Sequence, residues 1–195
     1  MTPQDQTRQV GSTLARIRRD HVNRYFLAVR VLPWRARVVD VGCGIGYGTR
    51  ILFDAGFDAT GFDIEPEAIS QALRDFPGPR YELRNAMTGG ISADAAVAFE
   101  VIEHLAQPDL LLGSLDCPVV VASVPNETHY PFVAENFQND RYPHLRHYLP
   151  DQFDALFAAH GFLPSMRFCQ RDKHVGKIET GNDGRFMINV YRRSR

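Results

Sequence analysis

The chain has 195 residues, 44% of them hydrophobic and 23% charged, with a formal net charge of −1. This is the composition of a globular protein, and the length suits one domain with a sizeable core. A charge so near zero excludes a strong overall field toward nucleic acid or a membrane surface. No apolar run approaches the roughly 18 residues that span a bilayer. The start, "MTPQDQTRQVGSTLARIRRD", has no apolar signal core, so the expected location is cytoplasmic. Cys43, Cys117 and Cys169 form no C-x-x-C pair, which predicts reduced thiols and no cysteine zinc site.

In chain order, Leu14, Ile17, Val22, Tyr25, Phe26 and Val29 recur at helical spacing and predict a helix over 13–30, with Pro33 helping to end it. Strands and helices then alternate. "ARVVDV" reads as a buried strand and "YGTRILFDAG" as a helix ending at Gly56. "FDATGFD" is a second strand, and "PEAISQALRDF" a helix with Pro66 at its first position. "RYELRNA" and "DAAVAFE" are a third and a fourth strand. "EHLAQPDLLLGSL" looks helical, with Pro108 tolerable only at a start or a break. "PVVVASVP" is a fifth strand, and "PDQFDALFAAHG" a helix. "SMRFCQ" and "RFMINVYR" close the chain as two strands joined without a helix, which favours antiparallel pairing. The expectation is an α/β fold: a doubly wound, mostly parallel, seven-stranded sheet with a C-terminal antiparallel hairpin. Residues 1–195 read as a single domain, with an N-terminal helical cap over 1–33 and a long loop over 126–149.

"VVDVGCGIGYGT" places four glycines, Gly42, Gly44, Gly46 and Gly48, directly after the first strand. In a doubly wound sheet, ligands bind beyond the carboxyl ends of the strands. Glycines there allow close backbone approach, and a helix starting near Gly46 offers free N–H groups. The dinucleotide pattern G-x-G-x-x-G/A fails in both registers, because Tyr47 and Thr49 stand where its third small residue belongs. No P-loop pattern is present either. Asp40 precedes the glycines, which suits a ligand carrying an ammonium or a sulfonium. Asp63 ends the second strand, where a carboxylate accepts hydrogen bonds from ribose hydroxyls.

"VVDVGCGIGYGT", "GFDIEPEAI" and "AFEVIEHL", in this order, resemble the motif series of class I S-adenosylmethionine-dependent methyltransferases, of the type that acts on small molecules or glycans. The resemblance runs from about residue 20 to the end and implies the Rossmann-like methyltransferase fold with S-adenosylmethionine as cofactor. It implies that Gly42, Cys43, Gly44, Gly46 and Tyr47 line the methionyl part, with Asp40 near its ammonium. Asp63 would hold the ribose, and Ile64 would pack on the adenine. Asn85 and Ala86 would touch the adenine edge, although many relatives carry Asp where Asn85 stands. Phe99, Glu100 and Val101 would flank the cofactor. "HVNRYFLA" resembles a capping N-terminal helix with His21, Arg24 and Tyr25 as its polar candidates; a surface helix with a buried tyrosine is the plainer reading.

Methyl transfer is an in-line displacement at an already activated carbon, so alignment supplies much of the rate, and a base is needed only where the acceptor must lose a proton. The candidates lie in "EVIEHL" and in "HLRHY". His104 or His147 is one candidate general base, with His144 beside it. A second reading takes Glu100, Glu103, His104 and His144 as metal ligands, since the set resembles that of the small-RNA 3′-end ribose methyltransferases. The third gives Glu103 and His104 only the shaping of a helix start, where an acid is favourable for the dipole alone. After the fifth strand, "SVPNETHY" lacks the D/N-P-P-Y/F of the amino-methylating DNA enzymes, and no Pro-Cys pair is present. Asn126 and His129 are acceptor-side candidates or simple turn residues.

"YPHLRHYLPDQFDALFAAHGFLPSMRFCQ" is similar to the ending of a subgroup associated with glycan and small-metabolite modification, in which an acid is common at the place of His147. Arg192, Arg193 and Arg195 read as a solvated tail. The expectation is O-methylation of a small-molecule acceptor such as a sugar or secondary metabolite. A metal-dependent RNA ribose 2′-O-methyltransferase and a non-catalytic cofactor-binding partner protein are the alternatives. The near-neutral charge counts against nucleic acid as a partner, no membrane partner is expected, and a homodimer stays open.

Overall fold

The computed structural model describes residues 11–138 and 140–194. The first ten residues of the stretch read above for a signal core, and Arg195 of the basic tail, lie outside them. A short 3-10 turn, Leu14–Arg16, leads into α1, Arg19–Val31. The single helix expected over 13–30 is thus broken, because Ile17 and Arg18 both take extended backbone angles. Then follow β1, Arg37–Val41; α2, Tyr47–Asp54; β2, Asp58–Asp63; α3, Pro66–Asp75; and β3, Arg80–Leu83. A two-residue strand β4, Ile91–Ser92, precedes β5, Ala95–Phe99. The helix expected around Pro108 is two pieces, a 3-10 turn at Ile102–His104 and α4 at Pro108–Ser114, because Pro108 takes the first helical position. The two-residue β6, Leu115–Asp116, pairs with β4. After it come β7, Val119–Pro125; α5, Pro150–Ala158; β8, Phe162–Gln170; β9, Glu179–Thr180; and β10, Phe186–Arg193.

The main sheet has the order β3-β2-β1-β5-β7-β10-β8-β9. It holds eight strands, one more than expected. The eighth is β9, two residues that pair with Phe168 and Cys169 of β8. The pairs from β3 to β7 are parallel, and β10 runs antiparallel between β7 and β8. Pro164 of β8 stands opposite Tyr191 beside the register shift at Val190/Tyr191, a place where a strand tolerates proline.

Successive residues of the central strands face opposite layers. Val38, Val97 and Val121 pack with Leu52 of α2 and with Tyr25, Leu27 and Ala28 of α1. Val39, Ala96 and Val120 pack with Leu111 and Leu112 of α4 and with Phe153 and Phe157 of α5. Phe26, part of the expected apolar stripe, is 48% exposed; Arg24 and Asp20 take the buried side of α1 instead. Arg193 is more than a solvated tail residue, because its guanidinium donates to the carbonyls of Leu115 and Cys117. No helix among the described residues is long and apolar enough to cross a membrane. The strand order reverses between β1 and β5, so the carboxyl ends of these two strands open the crevice where a ligand binds.

Candidate active site

The loop after β1 carries its glycines for two different reasons. A side chain at Gly42, where φ is +67°, would run into Val101, so this position lets the end of β5 close on the loop. A side chain at Gly48 would overlap the Tyr25 ring, so this glycine seats α1 and leaves the ligand to others. Tyr25 stands edge-on to Tyr47 and Phe99, with ring centroids 5.6 Å and 5.0 Å away. Its hydroxyl donates to Asp40 Oδ1 at 3.0 Å, and Thr49 Oγ1 donates to Asp40 Oδ2 at 2.6 Å. Asp40 is fully buried, and burial lifts its carboxyl to about 7 against the lowering effect of both hydrogen bonds. Asp63 Oδ2 accepts the N–H of Gly44 at 2.8 Å, and Oδ1 accepts the N–H of Glu65 at 2.9 Å. This carboxylate therefore fixes the glycine loop to the end of β2.

A cavity of about 330 Å³ opens over these strand ends, within the roughly 300–1,000 Å³ of small-molecule sites. Gly42, Cys43, Gly44 and Tyr47 form one wall, with Tyr25 and His21 of α1 above them. Asp63 and Ile64 form the second wall, Asn85 and Ala86 the third. Phe99, Glu100, Val101 and His104 close the side nearest β5. Asp40, Gly46, Arg24, His144 and His147 stand behind this lining. Asp40, expected beside a ligand ammonium, spends both oxygens on Tyr25 and Thr49. Gly46 packs against Ala72 and Tyr81. Arg84, Met87 and Tyr142 also line the cavity, and no sequence pattern had singled them out.

Glu100 is the junction between the two sides of the site. Its φ of +54° puts a non-glycine residue in the left-handed region, a strained state that the surroundings must hold. Its Oε1 accepts from Ser123 Oγ at 2.8 Å and lies 3.3 Å from Arg24 Nη1. Arg24, expected as a cap residue, is fully buried: Nε donates to Gln170 Oε1 at 2.8 Å, Nη2 lies 3.7 Å from Asp20, and the guanidinium sits over Phe186. One arginine thus ties α1 to the ends of β5, β8 and β10.

Beyond Glu100 lies a cluster of histidines. His104 Nδ1 is 3.1 Å from the carbonyl of Pro143, and His147 Nδ1 is 2.6 Å from that of Tyr130. A carbonyl only accepts, so both Nδ1 atoms carry the proton and both Nε2 atoms are lone pairs. His147 Nε2 then takes the Nδ1 proton of His144 at 2.9 Å. His147 has no nitrogen left for an acceptor, whereas His104 and His144 each keep Nε2. Burial lowers the basicity of all three rings, and His144, facing the other two, falls to about 3. Glu103 is fully buried with neither carboxyl oxygen hydrogen-bonded, and burial followed by the nearby Glu100 pushes it well above the usual carboxylate range. Ligand atoms of Glu103, His104 and His144 all lie within 4.8 Å of one another. Glu100, expected as a fourth member of that set, is engaged with Arg24 and Ser123. Asn126 is a buried turn residue: its amide donates to the carbonyls of Asn182 and Gly184. His129 lies 2.9 Å from Asp183.

A family model described as a methyltransferase domain matches residues 12–163, well over half of the chain. The chain belongs to this family. It is a class I S-adenosylmethionine-dependent methyltransferase domain in fold and motif series. A curated relative, the 2-methyl-6-phytyl-1,4-hydroquinone methyltransferase of Synechocystis, is 38% identical over 101 residues. That match covers 51% of this chain and 26% of the relative, so the chain spans about a quarter of its length. The structure of a TehB-like methyltransferase from Corynebacterium glutamicum superposes with a TM-score of 0.65 at 21% identity, covering 88% of this chain and 87% of that one. Magnesium protoporphyrin IX methyltransferase from Synechocystis, with S-adenosylhomocysteine bound, superposes at 0.63 and 17% identity, covering 90% and 81%.

The methyltransferase cavity fits S-adenosylmethionine on its own evidence. The glycine loop leaves room for a ligand backbone, an acid stands at the end of β2, and Ile64 is 53% exposed at the cavity wall, where an adenine face would cover it.

Proposed function

We propose that this methyltransferase transfers the methyl group of S-adenosylmethionine to a hydroxyl of a small-molecule acceptor, with His104 as the base. Gly42, Gly44 and Tyr47 hold the methionyl end, Asp63 the ribose, and Ile64 with Asn85 and Ala86 the adenine. Helix α1 caps the donor, and residues 126–149 form the acceptor side. The observation that carries the reading is the state of His104: it lines the donor cavity with Nδ1 tied to Pro143, so its Nε2 is an unprotonated nitrogen able to take a hydroxyl proton.

Glu103 favours a second reading. Two buried carboxyl oxygens without a partner, beside two imidazole lone pairs held by carbonyl and histidine hydrogen bonds, are what a divalent-cation site needs. Glu103, His104 and His144 would hold the ion, which would supply Lewis acidity for the acceptor hydroxyl. Labelled S-adenosylmethionine, offered with phenols, catechols, sugars and a short RNA as separate acceptors, tests both readings. Methyl ethers that form in excess chelator support His104 alone. Loss of turnover in chelator with recovery on added Mg²⁺ or Mn²⁺ supports the cation. Methyl transfer confined to nitrogen or carbon, or donor binding without turnover on any acceptor, overturns the proposal.

A further inference from the structure

The long loop before α5 crosses the cavity and is tied down on both sides. Leu145 donates its N–H to the carbonyl of Glu103 at 2.9 Å, and the carbonyl of Pro143 lies 3.1 Å from His104 Nδ1. Arg146 Nη2 donates to the carbonyl of Ala106 at 3.3 Å. These contacts anchor residues 143–146 along the 3-10 turn after β5 and the residues that follow it, where His104, Leu105 and Ala106 line the cavity. Two residues earlier the same segment reaches the other wall. Arg141 Nη2 lies 3.0 Å from Glu65 Oε2, and Glu65 follows β2 and lines the cavity with Asp63 and Ile64. Tyr142, between the two anchors, lines the cavity as well. Residues 141–146 are therefore a strap from the end of β2 to the turn after β5, with Tyr142 against the cavity.

The two anchors differ in kind. The β5 end is held by hydrogen bonds to three backbone carbonyls and is fixed with that strand end. At the β2 end Arg141 contributes an ion pair, a contact of charges rather than an aligned hydrogen bond. The Arg141 side chain is 71% exposed and the Glu65 side chain 8%, so a solvated cation covers a buried acid. Such a pair offsets part of the cost of burying the carboxylate, and salt loosens it through its exposed arm. Arg141 and Pro143 are two residues apart, about 7 Å of chain, so a shift of one moves the other. We propose that Arg141 is a positioning residue for methyl transfer. Its pair with Glu65 closes the strap over S-adenosylmethionine, sets Tyr142 against the donor and keeps the Pro143 carbonyl on His104. The donor enters and leaves by parting this pair, so covering the donor and setting His104 are one event. The link to His104 rests on the reading of that residue as the base, while the hold on the donor does not.

The test is the association and dissociation rates of S-adenosylhomocysteine, read by surface plasmon resonance on the whole chain. This ligand has no net charge at neutral pH, so salt acts on its rates through the protein. In the wild-type protein both rates should quicken together as salt rises. Arg141→Gln should raise both about three- to fivefold, as for one ion pair of this exposure, leave Kd within about twofold and remove the salt dependence. Arg141→Lys should keep the wild-type rates. Glu65→Gln should give the same rise as Arg141→Gln, and the double variant no more than either alone. Unchanged rates in Arg141→Gln overturn the strap. A faster dissociation with unchanged association makes Arg141 a plain donor contact and overturns it too. The ring-nitrogen spectrum of His104 is read in the same variants. It should lose its single-tautomer pattern in Arg141→Gln and keep it in Arg141→Lys; an unchanged pattern overturns the link to His104. Wild-type binding comes first: its absence counts against the donor site, and the strap falls with it. Acceptor assays stand apart, so a failure of His104 as base leaves the donor rates readable.

Discussion

The two sides of this cavity, the glycine-loop wall proposed for the donor and the side proposed for the acceptor, are built by opposite means. The wall proposed for the donor is mostly backbone: a glycine loop pinned by Asp63, strand ends of fixed register, and apolar side chains. The proposed acceptor side is side chains drawn from far apart. Arg24 of α1 meets Glu100 after β5, Gln170 of β8 and Phe186 of β10, and Glu103 and His104 meet His144 of the long loop. Both oxygens of Glu103 and Nε of Arg185 are buried there without a hydrogen bond. A backbone site serves one ligand common to a whole family. A side-chain site is where acceptors diverge.

The sharpest way to break this contrast is Arg24→Met. It leaves Glu100 without its cation, while Asp20 keeps Arg18, and loss of one partner from a buried pair costs about 3–5 kcal/mol. Urea unfolding should show that loss. A change within the scatter of surface substitutions would mean that the packing of Tyr25, Leu27 and Ala28 holds α1 without the arginine. Asp63→Ala acts on the donor wall only. It should weaken S-adenosylhomocysteine binding by roughly 1–3 kcal/mol in calorimetry, through the lost acceptor and the freed glycine loop. Unchanged affinity would remove Asp63 from the ribose.

Asp40→Asn sharpens the contrast through pH. The folded protein holds Asp40 at about 7, above its ordinary 3.8, so folding favours the protonated form. Its contribution is complete below pH 4 and is lost as pH rises toward 7, at about 1 kcal/mol per pH unit across that window. The asparagine variant should lose this slope in denaturant unfolding between pH 4.5 and 7. An unchanged slope would assign it to other groups.

The sequence made the donor side legible because its signals are local. A β-branched run, four glycines and two acids at strand ends sit within a short stretch, and Pro66, Pro108 and Pro150 each start a helix. The eighth strand left no trace, since a two-residue pairing has no period. Helix α1 was misjudged on one face because burying Arg24 depends on Gln170, 146 residues away. The histidines were visible as candidates, but their roles depend on which carbonyl each ring meets. Arg141 and Glu65 gave no signal, because nothing near either in the chain says that the long loop will cross to the end of β2.

The central claim is that the cavity over β1, β2 and β5 holds the methyl donor. Thermal unfolding with S-adenosylhomocysteine tests it most directly, with NAD as the control. At about a hundred times the dissociation constant, bound ligand adds roughly 2.7 kcal/mol and raises Tm by a few degrees. A rise with S-adenosylhomocysteine and none with NAD is the expected result. No rise, or an equal rise with NAD, would contradict the donor site and reopen the glycine loop to another ligand.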